Sequence, residues 1–141
     1  MLNFDSFGSL LGWTELSCCG PDEMGNYLKT FFVGQDHYVA AKKEVVPYAD
    51  HFPFAASGMP VVWLGRSNCT SGRFFHHRPD DIISRINIPL VTKLLNASHE
   101  CLARIAQTDP FPFPTCIPED MQIEIETKWQ SLFGGWKGFG A

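Results

Sequence analysis

The chain has 141 residues, of which 45% are hydrophobic and 18% charged, with 11 Lys and Arg set against 15 Asp and Glu for a formal charge of −4. That length supports one compact domain and too little for two, and the apolar share excludes disorder by composition. The mild acidity argues against a nucleic-acid surface or a polybasic membrane anchor, and no apolar run approaches the roughly 20 residues of a membrane span.

Leu2 to Phe7 is short and apolar and stops at Gly8, which predicts a buried strand. Trp13 to Cys19 (WTELSCC) predicts a second strand, closed by Gly20-Pro21. Asp22 to Phe32 has an acidic first turn, then Met24, Tyr27, Leu28, Phe31 and Phe32 at helical spacing, with the negative end where the helix dipole favours it. His37 to Val46 predicts a strand, His51 to Ser57 a short helix, and Met59 to Leu64 (MPVVWL) a fully buried strand. Arg66 to Pro79 is a polar loop carrying the adjacent His76 and His77.

Asn87 is the expected cap of a long helix ending near Gln107, with Val91, Leu94, Leu95, Cys101, Leu102 and Ile105 on one face. Four prolines between Asp109 and Pro118 forbid regular structure. Met121 to Glu126 alternates apolar and polar residues and predicts an edge strand, while Phe133 to Gly140 matches no element. The alternation of strands and helices predicts an α/β fold, a mostly parallel but mixed sheet flanked by helices. Residues 1–107 form the core unit; residues 108–141 form a Pro-rich connector and accessory tail.

The five cysteines (18, 19, 69, 101 and 116) contain no CxxC pair, which fits free thiols in a reducing compartment, and a soluble, cytoplasmic protein is expected. In a strand, Cys18 and Cys19 point to opposite faces and do not bridge each other.

Ligands of open parallel sheets bind beyond the carboxyl ends of the strands. Asp5, the Asp50-His51 pair and the His76-His77 pair fall at such ends. Taken singly, each has an ordinary structural reading as a cap, a loop hydrogen bonder or a satisfied histidine. Taken together they suit zinc, which accepts imidazole nitrogen and carboxylate oxygen.

The block from Tyr48 to Leu64 (YADHFPFAASGMPVVWL), the loop from Phe75 to Asp81 (FHHRPDD) and the opening Asn3-Phe4-Asp5-Ser6-Phe7-Gly8 resemble, in order and spacing, the C-terminal half of the zinc-dependent aminopeptidases, a family that includes glutaminyl cyclases. The resemblance covers about residues 1 to 107. It implies that Asp5 binds one zinc of a metal pair, that His77 binds the other, and that Asp81 supports the histidine loop. It implies further that Asp50 orders the pocket or relays a proton. His76 stands where the family carries Tyr or Trp, and Arg78 where it carries Thr.

The family's remaining ligands, an H-x-D strand, a bridging Asp and a Glu-Glu pair containing the general base, have no counterpart here, and no Glu-Glu dipeptide occurs in the chain. Two ligands cannot hold a pair of zinc ions and an activated water, so the chain alone is not expected to cleave its peptide substrate. Four readings stay open: a truncated hydrolase, one half of a split enzyme completed by an upstream half, a non-catalytic interaction module of the same fold, or an unrelated α/β binding domain. A sheet lacking its upstream strands exposes an edge, which predicts self-association or a complementing chain, with Met121 to Glu126 as a candidate cover.

Overall fold

A computed structural model describes residues 1–135. Strands β1 (Leu2–Phe4), β2 (Trp13–Cys19), β3 (Val39–Lys43) and β4 (Val61–Ser67) form one sheet in the order β1-β4-β2-β3. The outer pairs β1·β4 and β2·β3 are parallel, and the central pair β2·β4 is antiparallel. Helices α1 (Asp22–Gly34), α2 (Phe52–Ala56), α3 (Ile88–Gln107) and α4 (Glu119–Phe133) cover the sheet, so the expected α/β, mixed-sheet class holds. No helix among the described residues is long and apolar enough to cross a membrane.

Period-two alternation divides the sheet into two apolar faces. On the first, Leu16, Cys18, Val62 and Leu64 meet Met24, Leu28, Phe31 and Phe32 of α1 and Leu94, Ala97 and Cys101 of α3. Residues at these spacings share one side of each helix, and fully burying a Leu or Phe contributes about 1.5–3 kcal/mol. On the second face, Cys19 and Val61 meet Phe52 and Ala55 of α2 and Met121 and Ile125 of α4. Cys18 and Cys19 are both buried and free, one on each face, as the strand reading requires.

The helix ends follow their sequence signals. Asn87 Oδ1 accepts the Leu90 N–H at 3.2 Å, Pro89 sits in the first turn of α3, and Asp22 and Glu23 occupy the first turn of α1. The alternating segment Met121 to Glu126 is not a strand. It lies inside α4, where Met121 and Ile125, one turn apart, are buried while Ile123 is 63% exposed. The acidic pair Glu119 and Asp120 opens that helix after Pro118, and Gly134 ends it with φ of +63°. Consequently α4 covers the second face of the sheet through α2, not its open edge. The unassigned stretch Phe133 to Gly140 begins with the last residue of α4 and the left-handed Gly134 and Gly135; the rest of it lies outside the described residues.

Three strands differ in length from expectation. β1 stops at Phe4, because Ser6 takes φ of +53° and turns the chain, and β3 keeps only Val39–Lys43 of the longer predicted run. β4 runs on to Ser67, since Arg66 and Ser67 pair with Thr14 and Trp13. The loop beyond β4 contains a single π-type turn at Ser71–Phe75 and a 3-10 turn at Ile83–Arg85. It is laced to the segment after β1: Thr70 N–H donates to Leu10 O (3.0 Å), Ser71 N–H to Ser9 Oγ (2.8 Å) and Asn87 N–H to Gly8 O (2.8 Å). These bonds bring residues 68–87 to the same end of the sheet as Asp5.

Candidate functional site

The second face of the sheet is apolar at one end and polar at the other. Register places Asn3 beside Trp63, Trp63 beside Ser17, and Ser17 beside Lys42, a row that runs from one sheet edge to the other. His51, at the entrance to α2, lies over this row and is only 1% exposed. Its ring stacks on Trp63 with centroids 6.5 Å apart and planes within 11°. Its Nδ1 meets Asn3 Nδ2 at 3.4 Å. This contact ties the imidazole to a side chain of the edge strand. Burial pushes the His51 pKa below its ordinary value, while the carboxylates of Asp5 and Asp50 pull it upward. The Trp63 indole N–H is buried without a partner.

Asp5 follows β1 at its carboxyl end. Its N–H continues the ladder to Leu64 O (3.2 Å), and its exposed carboxylate accepts the Ser6 hydroxyl at 3.2 Å. Asp50 is also exposed and precedes His51 directly. The charges of Asp5 and Asp50 both act on this one buried imidazole, which the sequence reading had named as half of the Asp50-His51 pair. Its pairing with Asn3 had no local signal, because the two are 48 positions apart.

His77 sits in the loop beyond β4, exposed, with φ of +57° and its ring against that of His76 (centroids 3.8 Å). Neighbouring contacts shape this loop: Arg85 lies over the Phe75 ring at 3.6 Å, Arg78 faces Asp80 at 3.8 Å, and Asp81 N–H donates to Arg78 O at 3.0 Å. β1 and β4 are parallel, so Asp5 and His77 follow strands that end on the same side of the sheet. No hydrogen bond or ion pair joins them among the described residues. Nor do any three His, Cys, Asp or Glu of those residues converge closely enough to hold a metal ion. A catalytic zinc takes three protein ligands and a water, so this donor set does not fit the ion by itself.

A second polar cluster was not legible in sequence. Lys42 Nζ lies 2.7 Å from Glu15 and 2.8 Å from Glu44, and Glu44 accepts the Ser17 hydroxyl at 2.9 Å. Burial pushes the Lys42 pKa down, but the hydrogen bonds and charges of Glu15 and Glu44 outweigh it and lift the value. The signal available was the polar parity of Glu15 and Ser17 in an otherwise apolar strand; what it lacked was the β2·β3 register. Burial also raises the thiols of Cys18 (to about 12), Cys19 (to about 11) and Cys101 (to about 11), so all three stay protonated at neutral pH.

On the first face, beside β1, an apolar recess of about 530 Å³ is lined by Met1, Leu2, Met59, Leu102, Ile105 and Phe111 among others, none of them with a charged side chain. The chain gives no significant match to a family model, a curated protein or a solved structure.

Proposed function

We propose that this chain is the C-terminal portion of a zinc-aminopeptidase-like hydrolase of peptide or amide bonds, and that it is not competent alone. The observation that carries this reading is that Asp5 and the His77 loop follow β1 and β4, two parallel strands that end on the same side of the sheet. That is where open α/β sheets place their ligands.

In this reading Asp5 and His77 are the chain's metal ligands. Asp50 is a positioning residue beside the buried His51. The missing ligands and the general base come from a complementing polypeptide. No hydrolytic step is assigned to this chain's residues, because they do not make a zinc site by themselves. A cytoplasmic location belongs to the same proposal.

The test is zinc stoichiometry, measured by elemental analysis after dialysis. The chain alone retains no equimolar zinc. Mixed with a polypeptide carrying the H-x-D and Glu-Glu motifs, it retains about two ions per complex, the number a paired-metal hydrolase needs. Asp5→Ala and His77→Ala each lower that number; occupancy indifferent to both substitutions overturns the reading.

A second reading, a non-catalytic interaction module of the same fold, is favoured by the open β1 edge and by the recess beside it, whose lining side chains carry no charge. It predicts that both substitutions are silent in every binding assay.

A further inference from the structure

We propose that β1 is a self-complementary edge through which two copies of this chain join their four-stranded sheets into one. The inference goes beyond the hydrolase reading and stands without it.

Hydrogen-bond parity supplies the first argument. Val62 N–H donates to Met1 O (2.9 Å) and Asp5 N–H to Leu64 O (3.2 Å), so the odd-numbered residues of this strand turn their backbone groups toward β4. Successive residues alternate, and the N–H and C=O of Leu2 and Phe4 therefore point away from the sheet, toward no neighbouring strand among the described residues. A two-fold axis through Asn3 sets Leu2 of one copy opposite Phe4 of the other, twice, and matches all of these outward groups in an antiparallel ladder. Sliding the pair by two residues halves the number of bonds.

Side chains agree with that register. Leu2 and Phe4 lie on the α1–α3 face, so the pairing sets apolar against apolar there. Asn3 meets its symmetry mate on the polar face. The recess that Leu2 lines is shared by Leu102 of α3. From Leu102 an outward stripe runs back along that helix through Leu95 to Ile88, at seven-residue spacing, with exposures of 46%, 42% and 56%. Thr92, His99 and Ala106 complete this side of α3, so His99 is its one titratable group. Lys93 and Arg104 turn the other way, toward Asp36 and the Phe31 ring.

An uncharged stripe lets a second copy of the same surface approach without like-charge repulsion, which is what an isologous interface requires. In the dimer the two stripes and recesses face each other over the β1 pair. They supply the apolar area that a three-residue ladder lacks.

Sedimentation velocity on the full chain across rising concentration tests this, and the expected result is a monomer–dimer equilibrium. Leu2→Pro removes an outward N–H without touching the bonds to β4, and Leu95→Glu places like charges across the axis on an exposed position. Each is expected to weaken the dimer at least tenfold while leaving the far-UV spectrum intact.

Asn3→Cys, made in a Cys116→Ser background, reads the register. An antiparallel pair without hydrogen bonds holds its Cα atoms about 4.5 Å apart, within the disulfide range, so mild oxidation yields a covalent dimer. Lys29→Cys on the exposed side of α1 yields none. A chain that stays monomeric at every concentration overturns the proposal. So does a dimer that tolerates Leu95→Glu and does not cross-link through Asn3→Cys.

Discussion

Asn3 and His51, 48 residues apart in the chain, meet through Nδ2 and Nδ1 at 3.4 Å, and this contact ties the open edge of the sheet to the entrance of α2. Burial lowers the folded-state pKa of His51, and that of His37, below the ordinary histidine value. Between that lowered value and about 6.5 the unfolded chain binds more protons than the folded one, so stability rises with pH through this window and is lost on acidification. Urea midpoints measured from pH 7.5 down to 5 are expected to fall. The combined His37→Gln and His51→Gln variant flattens the slope, and an unchanged slope removes these histidines as its cause.

The clasp between α2 and α4 rests on Phe52, which is 1% exposed and whose ring lies 5.9 Å from Trp129 and 5.8 Å from Phe133. Truncating a buried Phe to Ala costs about 3–5 kcal/mol. Phe52→Ala is expected to lose stability in that range and to weaken the near-UV signal of Trp129, whereas the exposed Phe54→Ala stays close to the parent.

Why α4 escaped the sequence reading is a matter of period. Met121, Ile123 and Ile125 satisfy a two-residue repeat, but Ile117, Met121, Ile125 and Trp129 satisfy a four-residue one, and only the second matches the surface that Cys19, Val45 and Phe52 leave open. The rule that decides is which residues find a partner, and that depends on distant strands. By contrast, α3 announced its own start through Asn87 and Pro89, signals that lie within one turn of each other. Asp5 and His77 were legible as polar residues beyond β1 and β4, because strand order along the chain separates loops from core; Asp50 was placed after a strand that in fact ends at Lys43 and runs opposite to β1 and β4. The contact of His51 with Asn3 and the Glu15–Lys42–Glu44 cluster were not, since each depends on which distant strands pair.

Cysteine chemistry separates the buried thiols from the exposed one. Cys18, Cys19, Cys69 and Cys101 are buried and Cys116 is exposed. Because burial raises the pKa of Cys18, Cys19 and Cys101, the native protein is expected to release one equivalent in a thiol titration with an aromatic disulfide, and five after denaturation. Cys116→Ser abolishes the fast phase. Two or more fast equivalents contradict the burial described here.

Glycine positions give opposite outcomes. Gly12 has φ of +66°, and a Cβ there meets Ser67 O at the point where β4 ends. Gly34, at the end of α1, has open space around it. Gly12→Ala is expected to destabilise by more than about 1 kcal/mol, and Gly34→Ala to stabilise by about 0.4–1 kcal/mol. Thermal unfolding of the two variants side by side checks the pair.

The most direct test of the proposed site asks whether Asp5 and His77 face one metal pair. Cobalt(II), a paramagnetic stand-in for zinc, is titrated into the isotope-labelled chain mixed with a polypeptide carrying the H-x-D and Glu-Glu motifs, while amide signals are followed by NMR. The account predicts that in the mixture Asp5 and Ser6 broaden together with His76, His77 and Arg78 at the same cobalt concentrations, and that the chain alone shows no such joint broadening at equimolar cobalt. Broadening confined to the histidine loop, with Asp5 unaffected, contradicts it.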